Sequence, residues 1–367
     1  MKDKERKSGL FGGVVTTLLS VAFVLVGLEA IVRLMDSEPF EPKNYISDKL
    51  SLLSSAYPSE YDPLLGYKPR AGYSGADNAW NTKVTIDQES LRSNGVPRAA
   101  DRPVEIVAVG DSYTFGDEVS DSESWPALLE AELAISVANG GVFGYGLDQA
   151  ILRGERLVEK FKPWALVVSF IYGDVRRTQL IQRTGVEKPV FRIVEGSLQL
   201  DNVPPSRNRP RIDQIGAVRT ILGYSYLLDW SMRRGGGAGW WYSGGFPQVQ
   251  VHSDGPVVAC LLMRRLAQFQ EKTGTKMLIV AQYLNRNFTL PDHPKSVEEL
   301  SGSKDLLACA EKEGLATVDT FEALNARYLE SPDTFSGRYF LQAHMSKAGN
   351  QIVAEQVADA LIELTLQ

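Results

Sequence analysis

The chain opens with a run that carries no charge, SGLFGGVVTTLLSVAFVLVGL over residues 8–28. A helix of that length and apolarity spans the roughly 30 Å core of a bilayer. We place a tail at residues 1–8 and a membrane helix at 9–30. From residue 101 the pattern changes to short apolar runs alternating with amphipathic stretches. Val104 to Val109 is rich in β-branched residues and reads as a buried parallel strand. Glu123 to Leu133, with Pro126 in its first turn, predicts a helix. Strands follow at Ile135–Ala138, Trp164–Tyr172, Lys276–Tyr283 and Ala316–Asp319. The helices between and after them are predicted at Leu147–Phe161, Pro256–Lys272, Ser303–Glu313 and Ser346–Leu364. The last carries Ile352, Val353, Val357, Leu361 and Leu364 on one stripe. Strands alternating with helices imply an α/β domain over 101–367, its five-stranded parallel sheet covered on both faces.

Two regions break the alternation. Residues 31–100 are polar and turn-rich, and predict a linker followed by a small β accessory region. An insertion over about 179–253 begins with a hairpin, PVFRIVEGSLQL, turning at Glu195-Gly196. It continues through a proline-rich loop and a helix around Ala217–Arg233 to the run GGGAGWWYSGG. Trp240, Trp241 and Tyr242 there read as a lid that stacks on a sugar ring or dips into a membrane interface. They read equally as a loop anchored by buried tryptophans.

The formal net charge is -6, which leaves no basic footprint for nucleic acid. There is no C-x-x-C pair, no His/Cys cluster and no Walker loop, so neither a metal nor a cofactor is expected. Lys2, Lys4, Arg6 and Lys7 ahead of the uncharged run predict a cytoplasmic N-terminus. The remainder is then a single-pass, extracytoplasmic (periplasmic) protein held at the inner membrane. A cleavable signal peptide would have a shorter core and a small-x-small site, which this run lacks. Cys260 and Cys309 sit on the helices flanking the fourth strand, where crossovers set helices side by side. One bridge and two buried thiols are both compatible with that position.

Candidate chemistry gathers at strand ends. Gly110-Asp111-Ser112, Asn139-Gly140-Gly141, Tyr172-Gly173-Asp174 and Gln282-Tyr283 all follow or close predicted parallel strands, where open α/β sheets bind ligands. Ser112 is the candidate nucleophile, and a serine hydroxyl needs a base in reach. Of His252, His293 and His344, only His344 precedes a strongly patterned helix, two residues before the predicted N-cap Ser346.

The blocks GDSYTFG, NGGVFGYGLDQ and HMSKAGNQIVAE resemble the SGNH/GDSL hydrolase family, from near residue 101 to the end with an interruption in the middle. That resemblance implies a three-layer α/β/α fold and a Ser112–His344 catalytic pair. It implies oxyanion donors from the Ser112 amide, the Gly144 amide and an asparagine side chain. The asparagine position falls on Gly173, leaving Asp174, which as a carboxylate cannot donate. Asn139, Arg176 or Arg177 are the available replacements, and Asp174 is expected to pair with Arg176 or Arg177 at the pocket rim. Asp111 adjoins the nucleophile and is counted with Gly144, Asn139 and Asp174 as oxyanion or substrate-binding. The triad acid should stand two or three residues before the histidine, at Leu341 or Gln342. Neither is acidic, so Gln342, a backbone carbonyl or an Asp from elsewhere is expected to hold the ring. By the same resemblance the activity is a serine esterase or acyl (acetyl) transferase on a carbohydrate or cell-envelope glycan ester. A lipid esterase or thioesterase, and an impaired glycan-binding protein that keeps the fold, are the alternatives.

Overall fold

The computed structural model describes residues 2–36, 38–46, 58–75, 82–96, 102–183, 186–207, 215–241 and 248–366. The chain forms two compact units, Met1–Ser54 with Arg209–Pro247, and Ser55–Asn208 with Gln248–Gln367.

The larger unit is built on the five parallel strands that the sequence predicts: β1 Ile106–Val109, β2 Val137–Asn139, β3 Ala165–Phe170, β4 Lys276–Ala281 and β5 Ala316–Asp319. Their order in the sheet is 2-1-3-4-5. Every residue of β1, β2 and β3 is buried, which is why these strands read as continuous apolar runs rather than alternating ones. Val109 pairs with Val168, and Phe170 with Ala281, so the carboxyl ends of β1, β3 and β4 share one edge. Helices α1 Trp125–Leu133 and α5 Lys347–Thr365 cover one face of the sheet. Helices α2 Leu147–Phe161, α3 Gly255–Thr273 and α4 Pro294–Lys312 cover the other. In α5 the stripe Ile352, Val353, Val357 and Leu361 is buried, each side chain contributing about 1.5–3 kcal/mol of transfer free energy. Cys260 on α3 and Cys309 on α4 form a disulfide, which decides between the two expectations for that pair.

Some bounds differ from the sequence pattern. The structure starts α4 at Pro294, with His293 as N-cap, nine residues before the predicted start. Its first half hides because Glu299, on the inward face, is charged. That carboxylate is buried and accepts from Arg176, Arg286 and Asn287. The region read as one helix over 217–233 is two, Ala217–Leu222 and Tyr226–Arg234. Gly223 closes the first, and the Ser225 hydroxyl accepts from the Leu228 amide to cap the second. Helices at Phe321–Glu330 and Pro332–Tyr339 were not expected.

The interval 179–253 falls in both units. Its first part stays with the larger one as strands Leu180–Arg183 and Val186–Glu187 and the predicted hairpin Val190–Val194/Ser197–Asp201. Glu195 and Gly196 both have positive φ, 51° and 77°, the two-residue turn that matches strand twist. In the larger unit's early segment, Ser59–Asp62 pairs with Gly66–Pro69 and Ser74–Gly75 with Val84–Thr85, all antiparallel.

The smaller unit holds the N-terminal helix Lys2–Met35, whose segment Val15–Met35 has a mean hydropathy of 2.3. Its cores are small: Ile46, Ile215 and Trp241 in one, Val32, Tyr45 and Tyr226 in the other. Trp241 is fully buried and donates through Nε1 to Asp229 at 2.9 Å, while Trp240 is 57% exposed. The aromatic run is therefore half anchor and half surface. Tyr242 lies outside the described residues.

Candidate active site

Past the end of β1 the chain turns into a single helical turn, Ser112–Phe115. Asp111 is its N-cap and accepts the Tyr113 amide on Oδ1 at 2.9 Å. This places Ser112 at the carboxyl edge of the sheet, where strand order reverses between β1 and β3. Its Oγ stands 2.9 Å from His344 Nε2. His344 lies in the loop before α5, as the sequence predicts. The loop is held by Tyr113 Oη, which donates to the Ala343 carbonyl at 2.9 Å, and by the Leu341 amide, which donates to the His344 carbonyl at 2.8 Å. Ser346 caps α5 by accepting the Gly349 amide. The other two histidines bind nearby backbone: His252 Nδ1 accepts from the Asp254 amide, and His293, the N-cap of α4, accepts from the Lys295 amide.

The acid on the ring is Glu118. Its Oε1 is 2.9 Å from His344 Nδ1, and the carboxylate also accepts the backbone amides of Ala343 and His344. Leu341 and Gln342, the positions that spacing singles out, are exposed. The acid comes from elsewhere, as a Glu rather than an Asp and from the nucleophile's own loop. Glu118 sits at φ 71°, a region that non-glycine residues enter at a cost and that recurs at functional sites. Burial raises its pKa, but the His344 hydrogen bond and the two amides outweigh that and hold it below the usual carboxylate range.

Asp117, next to it, is 2% exposed. Its Oδ2 lies 3.8 Å from His344 Nε2. Burial pushes its carboxyl up to about 7, against the opposing pull of His344 and Arg92. Burial of the imidazole lowers its basicity. The Glu118 hydrogen bond and the charges of Asp117, Glu118 and Asp111 more than offset it, so His344 titrates above its ordinary value.

Two backbone amides, those of Ser112 and Gly144, donate to no acceptor among the described residues. Gly144 is at φ 75°, and a Cβ there would meet Arg183 Nη1 at 2.6 Å and Tyr67 Oη at 3.0 Å. Only glycine fits that turn. The turn is braced by the accessory β region: Tyr67 Oη donates to the Phe143 carbonyl at 2.8 Å, and Tyr145 Oη donates to the Tyr67 carbonyl. The Arg183 guanidinium donates to the Gly144 carbonyl.

Asp111, Asn139 and Asp174 are each 1% exposed and are held by hydrogen bonds within the protein. Asn139 is committed to the loop, its Oδ1 accepting the Gly141 amide and its Nδ2 reaching Ser124 Oγ at 3.4 Å. Asp174 pairs with Arg177, as the sequence suggested, and accepts the Ile171 amide. Burial and the Asp111 charge push its carboxyl well above the ordinary range, with Arg177 working against them. Gln282 and Tyr283 are likewise each 1% exposed, and Gln282 donates to Ser169 Oγ.

Arg177 joins these groups. Its Nη1 donates to Asp111 Oδ2 at 3.0 Å, to the Tyr145 carbonyl at 2.8 Å and to Asp174. Asp111 Oδ2 is also 3.3 Å from Ser112 Oγ. With that oxygen engaged by the guanidinium, the nearer His344 nitrogen is the better acceptor for the serine proton. A Cβ built on Gly173 would meet Arg177 Nη2 at 3.8 Å. The guanidinium thus borders the space that a side chain at position 173 would enter. Beside Glu118 a cavity of about 610 Å³ is lined by Ser336, Gly337, Phe340, Leu341 and Gln342.

The chain is an α/β protein in which Glu118, His344 and Ser112 are joined by hydrogen bonds at the carboxyl edge of a parallel sheet. Among solved structures the chain is similar to an acetyl xylan esterase variant from Geobacillus stearothermophilus, at 17% identity and a TM-score of 0.41, covering 71% of this chain and 95% of that one. It is similar to an alpha/beta hydrolase enzyme from the metagenome of Lake Arreo, Spain, at 16% identity and a TM-score of 0.41, covering 71% and 95%. It is also similar to the lipase/acylhydrolase from Enterococcus faecalis, at 14% identity and a TM-score of 0.38, covering 70% and 95%. No protein-family model matches the chain, and no curated protein does.

Proposed function

We propose that this protein is a serine esterase or O-acyltransferase of the SGNH/GDSL type, acting outside the cytoplasm on an acylated carbohydrate. The observation that carries the reading is the relay Glu118–His344–Ser112, with both hydrogen bonds at 2.9 Å. In this mechanism His344 Nε2 takes the Ser112 proton as Oγ attacks the ester carbonyl. The amides of Ser112 and Gly144 donate to the oxyanion that forms, with the Arg177 guanidinium as the third donor. Glu118 stabilises the imidazolium. His344 then gives the proton to the departing alkoxide, leaving Ser112 acylated. Water or a sugar hydroxyl attacks the acyl-enzyme, with His344 again as base, and frees the serine. The carbohydrate preference is supported by the sequence resemblance and by the extracytoplasmic location proposed for the chain.

The location rests on the N-terminal helix being kept. Glu29, near its end, accepts from Ser225 Oγ and from the amides of Tyr226 and Leu227, each at 2.8 Å. These are the open donors at the start of helix Tyr226–Arg234. Cleavage beyond Glu29 would remove these three contacts and leave Ser225 as the only cap, which supports reading the helix as a retained membrane anchor.

The test is a fluorophosphonate probe on the full chain in membranes, with release of acetate from aryl and sugar acetates measured alongside. Ser112 is expected to be phosphonylated, and both signals to vanish in Ser112→Ala and His344→Ala. A protein that resists the probe, and binds glycan equally well as Ser112→Ala, overturns the catalytic reading.

A further inference from the structure

The smaller unit carries an apolar surface that, among the described residues, nothing in it covers. Helix Ala217–Leu222 sets Val218, Ile221 and Leu222 at the i, i+3, i+4 spacing of one face. That face points outward, with Val218 68% and Ile221 72% exposed, and none of the helix is buried. The side that meets the rest of the unit is polar. There Asn44 Nδ2 donates to the Thr220 carbonyl at 2.7 Å and the Tyr45 amide to the Gly223 carbonyl at 2.8 Å, while the Arg219 guanidinium donates to the Trp240 carbonyl. A surface helix in water does the opposite, turning its apolar stripe inward. Tyr224 and Trp240, each 57% exposed, extend the patch.

The patch adjoins the N-terminal helix at a definite level. One cleft is lined by Leu25, Val26 and Glu29 from that helix and by Ile221, Leu222 and Tyr224. The outward stripe is therefore level with the last turns of the uncharged run and with Glu29, the first charge after it. The cleft thus joins apolar side chains of both helices to Tyr224, and Trp240 is exposed on the same unit. Tryptophan and tyrosine concentrate at a bilayer's boundary with water.

We propose that residues 217–224 and Trp240 form a second membrane contact, an interfacial helix lying in the outer leaflet beside the anchor. The occupant of the patch is lipid, because the patch is continuous with helix surface that itself faces acyl chains. This inference rests on the retained anchor proposed above. An interfacial helix with its apolar face at the headgroup boundary needs no partner protein. Its consequence is orientation: one spanning helix leaves rotation about its axis free, and a second contact beside it removes that freedom.

The experiment uses single thiols, since both native cysteines are in the disulfide. An environment-sensitive fluorophore is attached to Phe23→Cys in the anchor, Ile221→Cys or Tyr224→Cys in the patch, and Leu329→Cys on the larger unit. Each full-length protein is placed in vesicles containing lipids with a shallow nitroxide, and iodide is added from the water. The expected result is loss of most of the signal to the lipid nitroxide at Phe23, Ile221 and Tyr224, with little iodide quenching at these sites and the reverse at Leu329. If Phe23 is quenched by lipid but the two patch labels behave like Leu329, the second contact is overturned and the anchor stands. Patch labels shielded from both quenchers also overturn it, since protein would then cover the patch. A Phe23 label open to iodide overturns the anchor and this inference with it.

Discussion

Glu118 Oε1 and His344 Nδ1 stand 2.9 Å apart although 226 residues separate them in the chain. The acid therefore reaches the imidazole from the serine's side of the site and not from the histidine's own loop. In consequence the loop over residues 110–118 supplies both Ser112 and Glu118, the proposed nucleophile and acid, and the second carboxylate, Asp117, as well.

Glu118 sets the acid side of the activity profile. His344 works as a base only when neutral, and its pKa lies above 6.5 because Glu118 and the charges around it outweigh the effect of burial. Activity should fall toward low pH with a midpoint above 6.5 in the parent protein. Glu118→Gln should move that midpoint down and lower kcat/KM at pH 8 by about 10²–10⁴-fold. The pH dependence of aryl acetate hydrolysis reads both. An unmoved acid limb would mean that Glu118 does not hold the ring. The same shift is a stability term: folded His344 binds its proton more tightly, so the contribution is complete below pH 6.5 and fades as pH rises past the folded value.

Asp117 should cost stability. Its carboxyl titrates near 3.8 in an unfolded chain and at about 7 here, with burial as the main cause. A raised carboxylate penalises the folded state fully above pH 7, progressively less below it, and not at all below 3.8. Asp117→Asn is therefore expected to raise Tm at pH 8, by on the order of 1 kcal/mol of stability or more, and to raise it less at pH 5. It should also lower the acid midpoint of activity without the rate loss of Glu118→Gln. Equal Tm gains at both pH values would refute the ionisation argument.

Arg177 and Gly173 should trade places. Arg177→Gln is expected to lower kcat by about 10²-fold or more if the guanidinium is an oxyanion donor. Gly173 has no positive φ, and a Cβ there has room, so Gly173→Asn introduces a donor into the space that Arg177 leaves. The pair should recover part of the rate that Arg177→Gln loses, whereas Gly173→Asn alone should gain nothing. If Arg177 only balances Asp111 and Asp174, the single variant loses stability and the asparagine rescues neither property. Kinetics and thermal melts on the three variants separate these cases.

The disulfide closes a 49-residue separation between α3 and α4. Removing it as Cys260→Ser/Cys309→Ser should cost about 2–4 kcal/mol, seen as a lower denaturant midpoint. The parent protein treated with reductant should shift by a similar amount. No shift in either would show that the bridge adds nothing to stability.

The sheet could be read in the sequence because buried parallel strands leave unbroken β-branched runs, as at Ile106–Val109 and Ala165–Phe170. Ser112 and His344 were legible for a related reason: each abuts an element whose own pattern is strong. Glu118 was not. An Asp-Glu pair after a glycine looks like a solvated turn, and what selects Glu118 is a backbone conformation and a loop 226 residues away. Arg177 was visible only as one of three replacements, since nothing in spacing says which arginine faces Asp111. The division of the chain was hidden too. The contacts that join residues 215–241 to the N-terminal helix include the hydrogen bonds onto Glu29, Arg33 over the Tyr226 ring and the core of Val32, Tyr45 and Tyr226, too scattered to leave a periodic trace.

The loop that carries both Ser112 and Glu118 has a consequence for the order of synthesis and export. A chain emerging from its N-terminus presents the nucleophile and the acid together, and the base arrives more than two hundred residues later. Until then the serine has Asp111 beside it but no imidazole to take its proton. Under the proposed function the nascent polypeptide would cross the membrane chemically silent, and reactivity would switch on with the docking of one late loop.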